Sequence, residues 1–124
     1  MAWQDPFTDW GPGSVVTYAD MNRIGGNLNY LLDRNAVKAN YTASDYVFLT
    51  EWETIRAALA EVQAYLGMEE DLPDDAVSSY NFNLVETYTL EAKDPVDKRR
   101  AQRLANQYAG DGWFSDTEVF TGGY

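Results

Sequence analysis

Met21, Ile24, Leu28 and Leu31 recur at intervals of three, four and three, the apolar stripe of a helix with 3.6 residues per turn. Thr17 ahead of the stripe, with Asp20 three residues on, makes a capping-box-like start in which Asp replaces the usual Glu. Gly25-Gly26 falls inside the stripe, and each Gly costs up to about 1 kcal/mol against Ala in a helix interior. Close approach of another backbone would explain the pair, with a local kink as the alternative. A second stripe, Trp52, Ile55, Leu59, Val62 and Leu66, follows Thr50 and Glu53 as a capping box, contains four alanines at 57, 58, 60 and 64, and stops at Gly67. Burying each large side chain yields roughly 1.5–3 kcal/mol, against about 1–2 kcal/mol per ordered residue, so these helices need partners.

Ser78 to Ala92 can be read two ways. With period two, Tyr80, Phe82, Leu84, Tyr88 and Leu90 read as a strand; as a helix capped by Ser78 or Ser79, Phe82, Val85 and Thr89 align. A repeat favours the helix: Met21-Asn22-Arg23-Ile24, Trp52-Glu53-Thr54-Ile55 and Phe82-Asn83-Leu84-Val85 share one pattern at intervals of 31 and 30 residues. Asp94 as N-cap, Pro95 at the first helical position, Asp97 and a terminal Gly110 predict a fourth helix with a thin stripe of Val96, Ala101, Leu104 and Tyr108. The chain therefore reads as mainly α, a single domain over 1–124. A small bundle of three to four helices (17–109) lies between an irregular aromatic arm (1–14) and an aromatic/Gly tail (110–124) that has room for a short β-hairpin. The arm's Trp3, Phe7 and Trp10, among Pro and Gly, either pack across their own domain or dock on a neighbour.

The chain has 124 residues, of which 20 are acidic and 9 basic, for a net charge of −11. Such a field opposes nucleic-acid and membrane-surface binding, and no signal-peptide core or apolar run of about 18 residues occurs. With no Cys and no His, disulfides, thiolate catalysis, Cys-ligated metals and Ser-His-Asp triads are excluded. The acidic loop Met68–Asp75 lacks the calcium-loop spacing, and no phosphate-cradling Gly-rich loop is present. Four of the nine positive charges gather at Lys98, Arg99, Arg100 and Arg103, where they answer acidic surface elsewhere. No enzyme activity, cofactor or metal is expected.

The stretch Trp10-Gly11-Pro12-Gly13-Ser14-Val15-Val16-Thr17-Tyr18-Ala19-Asp20-Met21-Asn22-Arg23-Ile24 resembles an opening of phage and prophage tail-module proteins. Those begin with Trp, a polar stretch and a (V/I)-T-x-x-D-(L/M)-N-R-(I/M) helix start. Leu49-Thr50-Glu51-Trp52-Glu53-Thr54-Ile55 is similar in a looser form, and Val119 to Tyr124 resembles their endings. The likeness covers residues 10–24 closely and about half the chain loosely, and departs at Gly25, where that pattern commonly carries Glu.

The resemblance implies a non-enzymatic structural or adaptor protein of a tail or baseplate, found in the virion or in the host cytoplasm during assembly. Its partners would be other phage structural proteins or copies of itself, with no nucleic acid and no membrane. Trp3, Phe7, Trp10, Arg23, Trp113, Phe114, Phe120 and Tyr124 are the candidate contact residues. Arg23 would be a bidentate anchor to a carboxylate or to backbone carbonyls between repeats; its alternative is a surface ion pair with Asp20 or with charges on the Asp33 side, worth at most about 1 kcal/mol. Two other readings fit the composition: a carbohydrate- or cell-surface-binding module using its aromatics, and a small acidic regulator or inhibitor.

Overall fold

The computed structural model describes residues 3–46, 49–68, 72–73 and 77–108. Three helices follow in order: α1 (Tyr18–Leu32), α2 (Leu49–Leu66) and α3 (Ser79–Tyr108). No strand occurs among the described residues. The chain divides into two compact units, Met1–Lys93 and Asp94–Tyr124, so the boundary falls beside Pro95.

In the first unit the repeat becomes geometry. Met21, Ile24, Leu28 and Leu31 of α1 are buried, as are Trp52, Ile55, Leu59 and Val62 of α2 and Phe82, Val85, Thr89 and Ala92 of α3. Each helix thus turns the same 3-4-3 stripe inward. α1 and α2 lie closest, and α3 reaches them through long side chains, with the Trp52 and Phe82 rings 5.3 Å apart. Thr89 sits in an apolar register because its hydroxyl donates back to the Val85 carbonyl, leaving only its methyl to pack.

The helix ends follow the expected chemistry in part. Thr17 and Asp20 form a complete capping box at the start of α1. α2 stops at Gly67 (φ 69°), whose N–H donates to Ala64 O while Met68 N–H donates to Gln63 O, a Schellman closure. α1 closes in the same way on Asp33, which stands in the left-handed region at φ 57°.

Two expectations are corrected and one ambiguity is resolved. Thr50 is not the cap of α2: the helix already begins at Leu49, and the Thr50 carbonyl accepts from the Thr54 hydroxyl inside the first turns. The helix favoured by the repeat for Ser78–Ala92 forms from Ser79 on, because its period-3.6 set meets the core while Tyr80 and Leu90, from the alternative strand reading, stay exposed. The fourth helix does not start afresh at Asp94, since α3 runs on with Pro95 inside it. Proline removes one backbone donor, but the turns on either side keep theirs, and helical residues continue to Tyr108. In the second unit Ala101 and Leu104 of the expected stripe are exposed. The tail over 110–124, with its hairpin, lies outside the described residues, as does most of the acidic loop.

Candidate functional site

The N-terminal arm is fixed to the first unit by polar side chains. Asn27 Oδ1 accepts from Gln4 N–H (2.9 Å) and its amide donates to Gln4 O (2.7 Å). Asn83 treats Trp10 identically, accepting from its N–H and donating to its carbonyl, both at 2.8 Å. An Asn amide used this way imitates a neighbouring strand, satisfying both backbone groups of one extended residue.

Between these two clamps lies Glu86, 1% exposed. Its carboxylate accepts from Phe7 N–H (2.9 Å), from the Trp10 indole Nε1–H, and from Arg23 Nε (2.8 Å) and Nη2 (2.9 Å). Arg23 reaches back with Nη1 to Asp20 (2.9 Å), whose second oxygen closes the Thr17 capping box. The bond to Glu86 raises the Arg23 pKa against the effect of burial, so the guanidinium stays charged. A buried carboxylate is tolerated only when paired and fully bonded, and four donors meet that condition here.

The arm's rings extend the same contact. Phe7 and Trp10 meet edge-on at 5.2 Å, Trp10 and Phe82 lie 5.2 Å apart, and Phe82 then meets Trp52, so one aromatic row runs from the arm into the core. Trp3 packs on Tyr30 at 5.5 Å with the Lys93 ammonium over both rings.

α1 organises this by using three adjacent stripes. Met21, Ile24, Leu28 and Leu31 face the core; Asp20, Arg23, Asn27 and Tyr30 face the arm and α3. Asn22, Gly25 and Asn29 face the loop after the helix. Asn29 accepts from Ala36 N–H (2.8 Å) and Val37 N–H (2.9 Å) and donates to Val37 O, while Asn22 clamps Tyr41 at 2.7 and 3.0 Å. Between them a Cβ on Gly25 would overlap the Lys38 carbonyl oxygen, so the expected close backbone approach is with that loop. A Glu at this position would collide.

A groove of about 610 Å³ opens where the starts of α1, α2 and α3 meet the loop. Its walls include Val16, Met21, Tyr41, Leu49, Trp52 and Phe82, with Asp45 as the one charged residue lining it among the described residues. Asp45 accepts from Thr42 N–H (2.7 Å) and faces Lys38 at 3.8 Å, and the Thr42 amide foremost holds its carboxyl below the ordinary value. Tyr41 is buried in the wall; burial, with the Glu51 carboxylate nearby, pushes its phenol up. Of the lining residues Tyr18, Leu49 and Val77 are each at least half exposed, as are Val15 and Tyr46, the chain neighbours of lining Val16 and Asp45, and apolar surface of this extent is uncommon on a solitary chain.

Of the expected contact residues, Trp10 and Arg23 are turned into their own unit, Trp3 is half-buried, and Phe7 is exposed on one side. Arg23 makes both of the contacts considered for it: it is bidentate on Glu86 of the same chain and also pairs with Asp20. Trp113, Phe114, Phe120 and Tyr124 lie outside the described residues. Residue pattern alone points to none of Asn83, Glu86 and the groove; the three asparagines within α1 are a signal the stripe reading passes over. Among the described residues no group of three or more carboxylates is placed to hold a metal ion, and no helix is long and apolar enough to cross a membrane. No protein-family model, curated protein or solved structure matches this chain.

Proposed function

We propose that this protein is a non-enzymatic structural or adaptor component, of the phage tail-module kind, that works by holding neighbouring proteins. The apolar groove with its exposed rim carries the reading: it has the size of a site that takes bulky side chains, and five large apolar residues at or beside its lining in the chain are uncovered. The occupant that fits it is a neighbouring protein presenting large apolar side chains beside a basic one. Asp45, partly answered by Lys38 at 3.8 Å, is the charged residue lining the groove among the described residues, and the chain carries a net −11, so the overall field draws in a basic flank and repels an acidic one.

The Thr17–Ile24 motif supports the same reading from the other side. Its defining residues divide the work among them. Thr17 and Asp20 cap, Met21 and Ile24 enter the core, Asn22 holds the loop, and Arg23 holds Glu86. The motif thus builds the wall of the groove. Sedimentation of the purified chain with the products of the genes adjacent to its own tests the proposal. A complex with one of them, weakened at least tenfold by Leu49→Asp, supports it. A chain indifferent to all of them, or a complex that Leu49→Asp leaves unchanged, overturns it.

A further inference from the structure

The arm's channel has the properties of a peptide-binding site filled in cis. The hydrogen bonds that dock the arm join residues far apart in sequence: Gln4 with Asn27, Trp10 with Asn83, and Phe7 and Trp10 with Glu86. Two of the three clamps address backbone atoms, and the third takes one backbone N–H and one indole. None depends on which copy of the chain supplies the arm.

The connection between arm and α1 is built differently. Residues 11–16 carry one local turn, in which Ser14 N–H donates to Gly11 O and Gly11 N–H donates to the Ser14 hydroxyl, both at 2.9 Å. Gly11 and Gly13 have open space where a side chain would project, and residues 12–16 are exposed. Opening this segment breaks one turn, and of its residues Val16 lines the groove while none belongs to the buried core. Pro12 limits the conformations that the segment can take, a feature of hinges that favours exchange of terminal elements between copies.

From this we infer that the arm over 3–10 is exchangeable: it occupies the same channel on a second copy of this chain, with the same asparagine, glutamate and ring contacts. The closed monomer and the exchanged assembly then share their arm contacts, and hinge geometry and concentration decide between them. Because the hinge sits at the front of each copy and the channel on its body, passing the arm to the next copy in line also permits chains longer than two. Only copies of this chain take part, so failure of the exchange would leave the groove and its foreign partner standing.

Two experiments decide it. First, chains carrying Trp3→Cys and chains carrying Tyr30→Cys are unfolded, mixed, refolded at high concentration and treated with a short bis-maleimide; the native chain has no cysteine to interfere. These positions face each other when the arm is docked. Exchange yields a 3-to-30 link between different chains, identified by peptide mapping. Second, deleting residues 13–14 shortens the hinge and should raise the dimeric or larger fraction at least tenfold at fixed concentration. Inserting three flexible residues at the same point should return it to monomer. The absence of any 3-to-30 link between chains overturns the inference, as does a shortened chain that folds and stays monomeric. If the shortened chain does not fold, the mixed link decides alone.

Discussion

Replacing Glu86 with Gln isolates the polar hub. The amide keeps one acceptor oxygen but sets an NH2 where the second oxygen receives the Trp10 indole and Arg23 Nη2. Two buried donors then face a donor, each at about 1–3 kcal/mol. Removing one charge of a buried pair costs about 3–5 kcal/mol when the other is stranded, and Arg23 keeps Asp20. Glu86→Gln should therefore destabilise the chain by about 3 kcal/mol, a large part of the total for a domain of this size. Urea unfolding followed by tryptophan fluorescence and by far-UV circular dichroism measures it. The same assay on Arg23→Met, Glu86→Met and their combination should show the double variant costing about 2 kcal/mol less than the sum of the two, because the stranded charge is gone. A loss below about 1 kcal/mol for Glu86→Gln, or strict additivity in the cycle, would refute the hub.

Gly25→Ala should destabilise by about 1–3 kcal/mol despite about 1 kcal/mol of gained helix propensity, since the new methyl meets a backbone carbonyl that only loop movement can clear; thermal unfolding reads the sign. Trp10→Ala should cost about 3–5 kcal/mol and quench the contact with Phe82, seen as loss of near-UV circular dichroism. Pro95→Ala restores one helical hydrogen bond at an exposed position and should raise the unfolding midpoint by up to about 3 kcal/mol equivalent. Burial raises the Asp20 carboxyl, but the Thr17 amide and the Arg23 guanidinium outweigh it and hold the pKa below the ordinary value. Its folded-state pKa being depressed, Asp20 stabilises the chain above about pH 4 and loses that contribution as pH falls through the folded value. Asp20→Asn should flatten this acid limb in a pH series of urea midpoints.

What the sequence exposes is what repeats. The stripes name eleven of the twelve core positions, Thr89 looking too polar until its back-bond is known; Ala92 is not among them, and Leu66, which is, is only part-buried. The Thr17–Asp20 box and the stop at Gly67 are local, and both are readable from a few residues. The cost of Gly25 is visible in the helical stripe, but its cause, Lys38 O, lies on a loop without periodicity. Asn22, Asn27 and Asn29 give the same kind of signal: asparagine competes with helix backbone, so three in one 15-residue helix require tertiary partners. Glu86 stayed hidden because its donors come from residues 63 to 79 positions away. Asp94-Pro95 misled in the opposite direction: the chemistry of a helix start is present, and the helix continues through it.

The central claim is that helix side chains, not secondary structure, hold the arm on the first unit, and amide hydrogen exchange at Phe7 and Trp10 tests it most directly. Both N–H groups should exchange at least about a hundredfold more slowly than in an unstructured peptide, and lose that protection in Glu86→Met and Asn83→Ala respectively. Exchange at peptide rates in the native chain, while α1 and α2 amides remain protected, would contradict it.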